Sequence, residues 1–96
     1  MLHDKIRPVI RRAILDVVLD VGGEVNDEDV TILLNELGHR VGGPDIVEEF
    51  KWLGAQGLLK LQEYPAYVVV SSTKAGRAVA AGTMRYDGVY QHKTGE

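Results

Sequence analysis

Apolar residues in this chain repeat at three- and four-residue steps as far as Leu53 and then, from Leu58, at every second position. That change of period constrains the order of elements, because a 3.6-residue repeat buries one stripe of a helix and a two-residue repeat one face of a strand. Ile6, Ile10, Ile14, Val17, Val18 and Val21 make the first stripe, which Gly22-Gly23 ends. Arg12 falls off this stripe and Arg11 lies at its edge. Pro8 either occupies the first turn or follows a short turn that precedes a kink. After a brief extended piece, Glu24-Val25-Asn26, Asn26 caps a short second helix whose acidic first turn, Asp27-Glu28-Asp29, suits the helix dipole. Val30, Leu33, Leu34 and Leu37 are its buried stripe and Gly38 its stop. A turn with Val41 as a core residue leads to Pro44, suited to the first position of a third helix. Ile46, Val47, Phe50 and Leu53 face inward there, while Asp45, Glu48, Glu49, Trp52 and Gln56 occupy the other side. Gly57 stops the helix in the left-handed conformation, and Leu58 folds back on its last turn.

Alternation then places Leu59, Leu61 and Glu63 on one face of a strand and Leu58, Lys60 and Gln62 on the other. Tyr64-Pro65-Ala66 is the turn and residues 67–71 return, so 58–71 form a hairpin. Ser72 or Thr73 caps a fourth helix through Ala75, Ala78, Val79 and Ala81 to Gly82. Met84, Tyr86, Val89 and Tyr90 are isolated anchors without a period. The reading is therefore one domain over 1–82, with 83–96 as an extended or disordered arm. The fold class is α+β, and three helices, a two-stranded hairpin and a short fourth helix follow the order of a winged helix-turn-helix. Residues 27–37 and 44–56 would be the helical pair and 58–71 the wing. Three short amphipathic helices leave one open side, which a hairpin too unstable to stand alone can cover.

Size and composition agree. The chain has 96 residues, 45% of them hydrophobic, enough for one core. Its longest apolar runs, 66–70 and 78–81, fall far short of the roughly 20 residues a membrane span needs. Charges scattered through the first twenty residues leave no secretory signal, and the expected location is the cytoplasm. The absence of cysteine excludes disulfides, thiolate nucleophiles and zinc ribbons. A net charge of −3 is uneven: between residues 23 and 57 only Arg40 and Lys51 oppose Glu24, Asp27, Glu28, Asp29, Glu36, Asp45, Glu48 and Glu49. The middle third is an acidic block.

Several stretches point to a family: Leu37-Gly38-His39-Arg40-Val41, then Val47 and Phe50-Lys51-Trp52-Leu53-Gly54-Ala55-Gln56-Gly57-Leu58, then Thr73-Lys74-Ala75-Gly76-Arg77 with Val79-Ala80-Ala81-Gly82. From about residue 6 to residue 90 the chain resembles small winged-helix proteins of Mu-like phages and prophages, commonly labelled transcriptional regulators of the ArsR type. The resemblance implies DNA binding and transcription regulation. Metal-sensing members of the wider ArsR class use cysteine thiolates, or acidic and histidine clusters at a dimer interface. This chain has no cysteine, and metal sensing is not carried over.

No residue set supports catalysis or a cofactor. His3, His39 and His92 lie far apart, and none has a ligand partner at metal-binding spacing. Asp45, Glu48 and Glu49 read as a solvated helix face, since no glycine-rich ligand loop or opposing acid accompanies them. Gly42-Gly43-Pro44 lacks the lysine and hydroxyl of a phosphate loop, and Ser71, Ser72 and Thr73 read as caps rather than nucleophiles.

Three functions remain, the last an accessory fold whose only interface is its homodimer. In the first, the third helix enters the major groove of duplex DNA, and Arg40, Lys51, Lys60, Lys74 and Arg77 supply phosphate or base contacts. A module this small would then act as a homodimer. In the second, the domain binds a phage or host protein through the acidic helix 44–56, using Glu48, Glu49, Trp52, Tyr64 and Tyr67. Trp52 has two readings of its own. Its ring either lies along the wing or tail and completes the core, or joins Tyr64 or Tyr67 in an apolar contact surface.

Overall fold

The computed structural model describes residues 2–91. The elements run α1 (Arg7–Val21), β1 (Val25–Asn26), α2 (Asp27–Glu36), α3 (Gly43–Ala55), β2 (Leu59–Glu63), β3 (Val68–Ser72) and α4 (Lys74–Ala81). This is an α+β fold of four helices and one three-stranded antiparallel sheet, in the order β1-β3-β2. Leu59 pairs with Ser72 and Glu63 with Val68, so the hairpin register is unbroken. The third strand was not foreseen as such. The extended piece before α2 pairs Val25 with Val70 and Asn26 with Val69, placing β3 at the centre of the sheet. No helix among the described residues is long and apolar enough to cross a membrane.

Helix signals act where the sequence places them. Pro8 sits in the first turn of α1. The Asn26 side chain accepts the Asp29 amide hydrogen at 2.7 Å, and Thr73 rather than Ser72 caps α4 by accepting from Gly76 at 3.0 Å. Gly57 has a φ of +78°, and the Leu58 amide closes on the Leu53 carbonyl at 2.9 Å. Asn26→Ala should therefore lower stability by about 1 kcal/mol, read as a shift of the urea midpoint with an unchanged slope.

The core lies between α1, α2, α3 and the inner face of the sheet. Ile14, Val30, Leu34, Ile46, Phe50, Leu53 and Leu58 have no exposed surface at all. Two expectations are corrected here. Leu33 and Leu37, assigned to the buried stripe of α2, are 39% and 66% exposed, because Val30 and Leu34 alone fill the space the short helix covers. Arg12, expected off the buried stripe, is buried: its guanidinium donates to the Ala80 carbonyl (2.8 Å), the Tyr90 carbonyl (3.2 Å) and Asp16 Oδ1 (3.1 Å).

Those bonds also correct the arm. Residues 83–91 contain no helix or strand, yet they fold back over α1 and α3 instead of extending away. Val89 is buried, and the Tyr90 amide donates to the Pro8 carbonyl at 3.0 Å. The segment lacks a period because it is held by single anchors and backbone groups. The end of the arm and His92 lie outside the described residues.

Candidate functional site

The candidate surface is α3 with the adjoining β2–β3 hairpin, and its electrostatics differ from the sequence expectation. Glu49 does not lie on a solvated face. Its side chain is wholly buried, Oε2 accepting from Arg7 Nε and Oε1 from Arg11 Nε, each at 2.7 Å. Both arginines come from α1, one turn apart, and together they surround the carboxylate. Arg7 also reaches Glu48 Oε1 at 2.8 Å. The hydrogen bond to Glu49, then its charge, then Glu48 raise the pKa of the Arg7 guanidinium above its ordinary value, so it stays protonated wherever the protein is folded. Asp45 has a different duty at the start of α3, where its Oδ2 accepts the Gly42 amide hydrogen at 3.1 Å. Within the acidic block, Glu48 and Glu49 are thus answered by arginines of α1 and Asp45 by a backbone amide.

Trp52 is taken up by the same arrangement. The Arg11 guanidinium lies 3.8 Å from the centroid of its ring, and Tyr86 meets it edge-on with centroids 6.2 Å apart. Tyr86 in turn donates its hydroxyl hydrogen to Gln56 Oε1 at 2.6 Å, while Arg11 Nη1 donates to the Gly88 carbonyl at 3.0 Å. Gly88 has a φ of +90°, and a Cβ there would stand 2.9 Å from the Trp52 ring, so only glycine lets the returning segment pass. Of the two readings of Trp52, the packing against the tail is the one the structure adopts. Glu49 is consequently enclosed, whereas Trp52 is partly buried.

Three features stay on the surface. The outward side of α3 shows Pro44, Glu48, Lys51 and Ala55, and Lys51 Nζ lies 3.7 Å from Glu63 Oε1 at the end of β2. Tyr64 and Tyr67 stack at the hairpin tip with centroids 4.8 Å apart, both near half exposed, forming their own apolar pair without Trp52. Lys60 and Arg77 border adjoining hollows on either side of Ser71, and Arg77 Nη1 donates to the Ser72 carbonyl at 3.2 Å. Arg40 and Lys74 are exposed, the first in the turn between α2 and α3 and the second at the start of α4.

The sequence reading missed Arg7, Arg11 and Arg12 as organisers of the site. The available signal was Arg7 and Arg11 at i, i+4 spacing on a helix that shares a small core with an acidic neighbour. The described residues hold no group of three or more His, Asp or Glu able to bind a metal ion.

No family model matches the chain. Over 89 residues, 93% of this chain and 93% of the relative, it is 29% identical to the uncharacterized protein gp26 of Escherichia phage Mu. A likeness running through nearly the whole of both chains agrees with a phage origin.

Proposed function

We propose that the chain is a winged-helix DNA-binding protein of phage type, acting in transcription regulation without metal sensing. The observation that carries this reading is the placement of α3 between α2 and the hairpin. The α2–turn–α3 pair presents its second helix beside β2, where Gly54 packs against Leu61 and Lys51 reaches Glu63. A helix pair of that kind, flanked by a β-hairpin, can lay one helix in the major groove and the hairpin along the backbone. The charge objection weakens as well, since Glu49 is enclosed by Arg7 and Arg11 and Glu48 is paired with Arg7. Arg40, Lys51, Lys60, Lys74 and Arg77, all exposed, are the cations assigned to phosphates, Lys51 on release from Glu63.

Titration of labelled duplex DNA tests the reading. If all five cations reach phosphates, the log–log dependence of affinity on salt should have a slope of about −4 to −5. The double variant Lys60→Glu/Arg77→Glu should flatten that slope by about 2. Binding no tighter than that of an unrelated acidic protein at about 50 mM salt would eliminate the proposal.

A second reading, contact with a phage or host protein, draws on the stacked, exposed Tyr64–Tyr67 pair together with Glu48. A partner whose capture survives Tyr64→Ser/Tyr67→Ser would count against it.

A further inference from the structure

We propose that the hollow between the end of α1, the end of β3 and the start of α4 is a seat for a single phosphate group. Leu19, Gly22, Gly23, Ser71, Ser72 and Arg77 wall it, and its volume is about 130 Å³. That is well under the roughly 300–1,000 Å³ of a pocket for a whole small molecule, so one compact group is what it can take. The lining sets the sign of that group. Among the described residues that line the hollow, Arg77 alone is charged. Asp20 and Glu24, the carboxylates next to the glycine pair in the chain, line other hollows, and Glu24 shares its hollow with Lys60, which offsets it. The end of α1 brings roughly half a negative charge and the start of α4 roughly half a positive one, so the two dipoles cancel and the full charge of the guanidinium decides.

The donors are in place. Arg77 Nη1 donates to the Ser72 carbonyl at 3.2 Å, which holds the guanidinium at the rim and leaves Nε and Nη2 for a ligand. Ser71 and Ser72 are half-buried, and neither hydroxyl has a partner among the described residues. The glycines form the opposite wall. Gly22 answers a need of the fold, with a φ of +78° at the end of α1. Gly23 does not: its φ lies outside the left-handed region, and a Cβ there would meet nothing within 4 Å. Its bare backbone leaves that wall open to close approach by a ligand. Two sources could supply the phosphate, a phosphodiester of nucleic acid or a free phosphate group. The seat does not rest on the DNA reading.

Titration of the isotope-labelled full chain with inorganic phosphate, followed by NMR at constant ionic strength against chloride, tests the seat. The amides of Gly23, Ser71 and Ser72 and the Nε of Arg77 should shift together and saturate, while the Tyr64–Tyr67 tip stays unmoved. Arg77→Gln should weaken binding about tenfold or more, the loss of a charge-assisted contact. Arg77→Lys keeps the charge without the fork and should lose most of the affinity as well, whereas a merely diffuse attraction would leave it unchanged. Shifts that chloride reproduces, shifts that do not saturate, or an Arg77→Lys protein as tight as wild type would each overturn the proposal. A short duplex then separates the sources. If it moves the same resonances and inorganic phosphate displaces it, the seat holds a phosphodiester. If phosphate saturates them and the duplex leaves them unmoved, the seat holds a free phosphate group, and the DNA reading is judged by its own salt titration.

Discussion

Glu49→Ala should destabilise the fold by about 3 kcal/mol or more, a large share of what holds a domain of this size together. The carboxylate is fully buried between two guanidinium groups whose side chains are only 21% and 12% exposed. Truncating it leaves two partly desolvated positive charges facing each other, with water reaching them poorly. Removing one partner of a buried pair costs about 3–5 kcal/mol, and the residual exposure of Arg7 and Arg11 puts the expectation at the lower end. For a domain near 100 residues the melting temperature should fall by about 12 °C or more. Glu48→Ala is the control, because a side chain 53% exposed in a surface pair contributes less than about 1 kcal/mol. The loss should also travel. Arg11, no longer oriented by Glu49, would slacken its hold on Trp52 and on the Gly88 carbonyl, and amide exchange at Tyr90 should accelerate beyond the change expected from global stability. A Glu49→Ala protein melting within a few degrees of wild type would refute the enclosed-carboxylate account.

Gly76→Ala should be comparably severe, though alanine normally favours a helix by up to about 1 kcal/mol over glycine. Gly76 is buried in the first turn of α4, and a Cβ there would stand 2.0 Å from the Leu58 carbonyl oxygen and 3.0 Å from its carbon. The obstacle is backbone, and Leu58 is itself fully buried behind the end of α3, so Leu58 cannot yield. Helix α4 must lift, and with it the bond from Thr73 Oγ1 to the Gly57 carbonyl and the seat of Val79. An expected loss of about 3 kcal/mol follows from overpacking at a site that cannot relax. Gly54→Ala is the contrast. Its Cβ would meet Leu61 Cδ1 at 2.7 Å, the far end of a side chain that can rotate, and the helix gain offsets the repacking to within about 1 kcal/mol. Equal urea midpoints for Gly76→Ala and wild type would show that α4 does not dock on Leu58 as described.

What could be read from the sequence was local. The cap at Asn26, the choice of Ser72 or Thr73 to cap α4, the stop at Gly57 and the existence of the hairpin each depend on residues a few positions apart, and these were legible. The chemistry of the α3 face was not, because Glu49 finds its partners 38 and 42 residues away and Arg12 meets carbonyls 68 and 78 residues on. Period analysis scores such charges as surface because their own helix offers no reason to bury them. Leu33 and Leu37 failed in the opposite sense. They keep the period of a buried stripe, and whether a stripe is covered depends on the length of the neighbouring element, which no local pattern states. The returning segment 83–91 was illegible for a third reason: its hold on the domain is mostly through backbone carbonyls, which every sequence has.

That hold has a bearing on the order in which the domain assembles. The carbonyls of Ala80, Gly88 and Tyr90 that accept from Arg11 and Arg12 lie 68 to 78 residues further along the chain than those arginines. Until segment 83–91 docks, the guanidinium hydrogens that reach Gly88 and Tyr90 must be satisfied by water, and the first helix takes its final seat only with that docking.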